Sequence, residues 1–306
     1  PGSAPRQAMT RGRPLVALSL AAVTLALVLL AAGEILSHPA NRPVGPSPPD
    51  FPAHSVSIPT AEGGALVGWL WPGLPGHGAV LLLHGNRSDR RQMLARARFL
   101  GRNGYATLAV DQQAHGESPG TRITFGAREA EGVRASLAFL RRELPGEPIA
   151  VIGVSLGAAA TVLAHPKPPP AAVVLESLYP TIEQAVANRL AMRFGAGGDL
   201  LAPLLLWQLP LVTGVAQRDL HPIAAIADLA APVLIASGSE DRHTPWAETE
   251  RIFAAASAPK ELWRVTGAAH VDLHGFAPTE YEARILEFLA RNLRPAARAP
   301  QAGTAE

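Results

Sequence analysis

The residues most able to do chemistry begin with Ser155, inside Gly153-Val154-Ser155-Leu156-Gly157. A serine hydroxyl is a weak nucleophile at neutral pH and needs a base to take its proton. The pentapeptide follows the aliphatic run Ile149–Val154 and opens the small-residue stretch Leu156–Ala164. This order predicts a strand, a sharp turn and a helix, the setting of a nucleophile elbow. Flanking glycines permit close approach around such a turn, and a helix N-terminus favours developing negative charge. The alternative is a serine that only caps a helix.

A serine nucleophile of this kind expects an acid and then a histidine further along the chain. After the apolar run Pro232–Ser237 comes Gly238-Ser239-Glu240-Asp241-Arg242-His243-Thr244-Pro245. Glu240 and Asp241 both qualify as the acid; Asp241, shorter and followed by Thr-Pro, is preferred. Its alternative role is a helix cap ahead of Trp246. Of ten histidines, His270 and His274 closely follow the last strand-like run, Glu261–Thr266. His270, nearer that run and after small residues, is preferred as the base. The i, i+4 pair raises a metal site, but without HExxH or a second cluster it is disfavoured.

An acyl-transfer oxyanion needs two donors. The backbone N–H of Leu156 supplies one, and that of Asn86, after the run Ala79–His84, is expected to supply the other. His84 itself reads as a structural brace for this loop.

The elements that must position these residues alternate along the chain. Strands are expected at His54–Pro59, Leu66–Trp71, Ala79–His84, Ala106–Asp111, Ile149–Val154, Ala172–Ser177, Pro232–Ser237 and Glu261–Thr266. The first two, joined across Glu62-Gly63-Gly64, read as an antiparallel hairpin. The later, continuously aliphatic runs suit strands buried on both faces. Helices are expected at Asp89–Asn103, Gly126–Leu144, Leu156–Ala164, Trp246–Ala256 and Thr279–Leu293. Alternation of this kind predicts an α/β fold, a mostly parallel sheet with helices on both faces and its site along one edge. Leu178–Asp228 breaks the alternation. Its apolar stretch Leu200–Val215, interrupted by Pro203 and Pro210, is either a cap over the site or helices packed on the sheet.

The chain is 48% hydrophobic and 17% charged, with a formal charge of +2 and 5% aromatic residues. That describes a folded protein without a nucleic-acid surface. There is no cysteine, which excludes a thiol nucleophile, a thiolate metal site and disulfides. The 306 residues fit one large domain or two small ones. The sequence begins at Pro1, expected to follow a removed methionine or a short missing stretch. Arg6, Arg11 and Arg13, in a basic segment over residues 1–14, precede an uncharged run from Leu15 to Ala32. Eighteen helical residues span about 27 Å, close to the roughly 30 Å hydrocarbon core. Residues 15–33 are therefore expected to be a transmembrane anchor, with a cleaved signal and a buried core helix as alternatives. Basic residues before the run would send the rest of the chain to the extracytoplasmic side; cleavage would leave it secreted or periplasmic. Residues 34–52, rich in proline, are expected to be an extended spacer. A hydrolytic domain at 53–294 and a disordered tail at 295–306 complete the layout.

LLLHGN, DQQAHGESPG, GVSLG, SGSEDRHTP and GAAHVD, in this order, resemble the successive signatures of the alpha/beta-hydrolase superfamily. The nearest likeness is to its serine-aminopeptidase-like, membrane-anchored branch, which includes acylglycerol lipases and acyl-protein thioesterases. The resemblance implies an eight-stranded sheet, no cofactor and a Ser155–Asp241–His270 triad. Gln113 and Ala114 depart from the family's D-x-R-G-H-G, which bears on substrate shape. The expected activity is hydrolysis of a small-molecule ester or thioester through an acyl-enzyme. Peptidase action on short peptides is the alternative, and a catalytically silent binding protein of the same fold is the third reading.

Overall fold

The computed structural model describes residues 12–61 and 63–293. The basic residues Arg6 and Arg11, Glu62 and the tail from 295 lie outside them. Eight strands form one sheet: β1 (His54–Pro59), β2 (Ala65–Trp71), β3 (Ala79–Leu83), β4 (Ala106–Val110), β5 (Ile149–Val154), β6 (Ala172–Glu176), β7 (Val233–Gly238) and β8 (Lys260–Val265). The spatial order is β8-β7-β6-β5-β3-β4-β2-β1. β1 and β2 are antiparallel and β2 meets β4 antiparallel, while every pairing from β4 to β8 is parallel. All eight expected strands are present, with ends shifted by at most one residue.

The helices over the sheet are α2 (Leu94–Arg102), α3 (Glu129–Glu143), α4 (Leu156–Leu163), α8 (Trp246–Ala255) and α9 (Pro278–Leu293). The first helix, α1, is Gly12–Ser37, and the segment between β6 and β7 contains α5 (Ile182–Phe194), α6 (Ala202–Leu206) and α7 (Leu209–Thr213). Because strand side chains alternate, Val80 and Leu82 join Met93, Phe99, Phe288 and Leu289 on one face of the sheet. Leu81 and Leu83 pack with Val133, Leu137 and Leu140 of α3 on the other. With both faces covered, the central strands have no polar side to show, which is why they read as unbroken aliphatic runs.

The parallel register sets the site. Leu83 pairs with Gly153, Val154 with Glu176, and Gly238 with Val265. The strands therefore end level, and the loops that follow them emerge along one edge of the sheet.

Two segments differ from their expected form. α1 continues to Ser37, four residues past the expected boundary at 33. The proline-rich stretch 34–52 is not a free spacer but lies on the domain. Ala40 and Asn41 pair in parallel with His115 and Gly116, and the Asn41 amide donates to the Gly116 and Ser118 carbonyls. The Gly45 carbonyl accepts from the Trp69 indole and the Arg90 guanidinium, and Phe51 is buried in the core beside Trp71. Proline removes donors but leaves carbonyls free to accept, so an extended strap can be held by groups it does not itself donate to.

Candidate active site

The elbow at Ser155 is built by two contacts that only glycine permits. A Cβ on Gly153 would stand 2.7 Å from the Ala158 nitrogen, and one on Gly157 would stand 2.5 Å from the Leu83 carbonyl. Their absence lets α4 start directly on top of β5 and rest against β3. Ser155 takes the turn itself, at φ 50° and ψ −104°, a sparsely populated region of the kind found at functional sites. Its N–H donates to the Glu176 carbonyl at 2.8 Å, tying the elbow to the end of β6.

Asp241 and His270 come together. After β7 and β8, Gly238 lets the two loops cross, since a Cβ there would sit 2.1 Å from the Ala268 carbonyl. The His270 Nδ1 and Asp241 Oδ2 are 2.7 Å apart. Asp241 also accepts from the backbone N–H groups of His243 and Thr244 and from the Thr244 hydroxyl. Burial pushes this carboxyl up, but the His270 bond and charge, with the Thr244 donors, outweigh it and hold the group below its usual range. Glu240 is exposed. His274 turns away: its Nε2 bonds Glu282 at 3.0 Å and its ring packs on Phe99 and Tyr281.

Asn86 and Leu156 line the same cavity as Ser155, a space of about 320 Å³. The loop bearing Asn86 is braced by two buried histidines. His84 Nδ1 bonds the Gly85 carbonyl and its Nε2 accepts from the Gln112 N–H. Burial, together with the nearby His115, lowers its pKa to about 3, so the ring is neutral. His115 accepts from the Arg87 N–H at 3.1 Å, and the two rings meet edge to face. His84 is thus the structural brace expected of it. Neither Gln113 nor Ala114 lines the cavity; Ala114 adopts φ 60° within the loop and packs in one buried cluster with Leu156.

Several contributors carry no local signature in the sequence. The His243 ring lies 4.6 Å from that of His270, and burial and the neighbouring His270 lower its pKa. Asn188 of α5 donates to the His243 carbonyl and to Glu248, tying α5 to the loop that bears Asp241. Below the site, buried Arg96 binds Glu176 at 2.6 Å and Asp272 at 2.6 Å, and Tyr281 bonds both Arg96 and Glu176. This network joins the end of β6 to the loop of His270. Burial lowers the basicity of Arg96, but the charges of Glu176, Tyr281 and Asp272 more than reverse it.

The cavity walls come from α5, α6, α7 and, unexpectedly, α1. Ile182, Val186, Leu190, Leu206, Leu209 and Val212 make it apolar, while Gly33, Leu36 and Ser37 close one side. The segment 178–228 packs through its own small cluster around Ile182, Leu206, Leu209 and Leu220.

The family model for serine aminopeptidase S33 matches residues 75–228, half of the chain. The uncharacterized protein Rv2307c of Mycobacterium tuberculosis is 31% identical over 245 residues, covering 78% of this chain and 80% of its own. The chain belongs to the serine aminopeptidase S33 family. Another relative of this S33 protein is YqkD of Bacillus subtilis, also uncharacterized, 23% identical and covering 76% of this chain and 77% of its own. The Pyrococcus furiosus esterase Pf2001 superposes with a TM-score of 0.71 at 25% identity, covering 84% of this chain and 98% of the esterase. The alpha/beta hydrolase GrgF from Penicillium superposes at 0.63 with 20% identity, covering 79% and 99%. The fold is that of the alpha/beta hydrolases, and the likeness to an esterase supports hydrolase activity.

Proposed function

We propose that this S33 protein is a membrane-anchored serine hydrolase cleaving carboxylic ester or thioester bonds of hydrophobic acyl groups. The observation that carries the reading is the Asp241–His270 pair, 2.7 Å apart, presented with the strained Ser155 elbow along one sheet edge. Held at Nδ1 by Asp241, the His270 imidazole keeps Nε2 as its basic nitrogen. That nitrogen takes the Ser155 proton as Oγ attacks the acyl carbon. The oxyanion accepts from the Asn86 and Leu156 N–H groups, His270 protonates the departing alcohol or thiol, and water then releases the acid by the same steps. Asp241 stays ionised throughout and stabilises the imidazolium.

Ester or thioester hydrolysis is favoured over aminopeptidase action by the cavity's charge. A peptide's free amine needs a carboxylate, yet among the described residues no Asp or Glu lines the cavity, while Arg87, Arg189 and Arg193 do. The anchor is supported by α1. Leu15–Ser37 is long and apolar enough to cross a membrane, and cleavage before residue 34 would strip away part of the cavity wall. The arginines before it favour an extracytoplasmic domain.

Profiling p-nitrophenyl esters of graded chain length beside amino-acid p-nitroanilides tests the reading. Ester turnover rising from acetate toward octanoate, with little on anilides, is expected. Preference for anilides would contradict it.

A further inference from the structure

α1 is not tethered loosely to the domain but fixed against it at its C-terminal end. It packs on α6 and α7, and it crosses them at Gly33, where a Cβ would collide with the buried Gln208 side chain. The Arg87 guanidinium reaches the Ile35 and His38 carbonyls at 3.4 and 3.2 Å, countering the negative end of the helix. Arg122 pairs with Glu34 at 2.6 Å, and the Ile123 N–H donates to the Ser37 carbonyl at 2.8 Å. Whatever holds α1 therefore also fixes the height and tilt of the cap.

Counting from Leu15, about 20 helical residues cover a hydrocarbon core of roughly 30 Å, which brings Glu34 to the polar boundary. Gly33, Leu36 and Ser37, the residues that close the Ser155 cavity, sit at that boundary. Beside them, α6, α7 and the turn before them expose large apolar side chains: Leu200 at 76%, Trp207 at 61% and Leu211 at 69%, with Leu201 and Leu204 also exposed. An apolar patch of this kind on a water-soluble cap is costly, whereas the same patch continuing from a spanning helix lies where lipid covers it. Tryptophan is the side chain favoured at that depth.

We propose that the exposed face of α6 and α7 is seated in the lipid bilayer beside α1, and that the substrate is a bilayer-resident acyl ester reaching Ser155 sideways between α1 and the cap. The inference rests on the hydrolase reading above and adds where the substrate comes from. A lipid acyl chain moving into the apolar cavity from the membrane plane never crosses water, and its ester carbonyl arrives at the elbow while its head group stays at the boundary.

The test uses the full chain reconstituted in phosphatidylcholine vesicles, with Leu204→Ser/Trp207→Ser/Leu211→Ser as the variant. None of these three lines the cavity. The variant is expected to keep wild-type turnover of water-soluble p-nitrophenyl butyrate and to lose tenfold or more on a fluorogenic dioleoyl glycerol ester in the vesicles. Brominated lipids are expected to quench tryptophan emission of the wild type more than that of Trp207→Phe. Equal turnover of the vesicle ester by variant and wild type, or equal quenching in the two proteins, would overturn the membrane seating while leaving the hydrolase reading intact. Absence of Ser155-dependent hydrolysis of either ester would overturn both.

Discussion

Asp241 gathers four donors at one buried carboxylate, and their division decides what it does. The His243 and Thr244 N–H groups occupy Oδ1, while Oδ2 is left for His270 and the Thr244 hydroxyl. Asp241→Asn keeps an oxygen for the backbone donors, so the fold is expected to survive while the imidazole loses its charged partner. A fall of about 10⁴ in kcat is expected, the size that a neutral amide produces in serine–histidine–aspartate triads. A loss below tenfold in steady-state ester hydrolysis would remove Asp241 from the proposed role. His84 offers a test of the brace. Its folded pKa is lowered from 6.5 to about 3, so the unfolded chain binds the proton more readily. The stability from neutral His84 is then complete above pH 6.5 and is lost as pH falls from there toward 3, with a slope approaching about 1.4 kcal/mol per pH unit. His84→Gln should flatten denaturant-unfolding stability against pH across that window relative to wild type. Parallel curves would contradict a neutral buried ring.

At the scale of elements, the elbow depends on α4 resting on β3 without an intervening side chain. Alanine is ordinarily the better helix former by about 1 kcal/mol. Gly157→Ala reverses that preference here, because its Cβ would press on the Leu83 carbonyl at 2.5 Å. A net destabilisation of about 1–3 kcal/mol is expected, read as a lower Tm; an unchanged or raised Tm would mean that α4 can shift away freely. The strands were legible in the sequence because burial on both faces demands continuous aliphatic runs. The pentapeptide and the two loops after β7 and β8 were legible because strand ends and small residues sit beside the candidates Ser155, Asp241 and His270. His243 and Asn188 were not: each acts across elements 55 residues apart in sequence, and no local pattern marks such a meeting. The strap at 34–52 was misread for a related reason. Proline content rules out helix and central strand but is silent on whether an extended chain lies on a surface whose donors it can satisfy.

For the whole molecule, the hydrophobic run at the N-terminus has one proposed use and one that its contacts show. Its uncharged length suits a membrane, and its last turn completes the wall of the cavity that holds Ser155. Composition points to the first, which is proposed. The second depends on where α6 and α7 sit relative to α1, a distant contact of apolar surfaces that leaves no trace in spacing. The account stands on Ser155 being a nucleophile activated by His270, and covalent labelling of the folded, full-length chain tests this most directly. A fluorophosphonate probe followed by peptide mass spectrometry is expected to place one adduct on Ser155, with labelling lost in Ser155→Ala and slowed by at least 100-fold in His270→Ala. A folded protein left unlabelled, or labelled elsewhere at the same rate in Ser155→Ala, would contradict it.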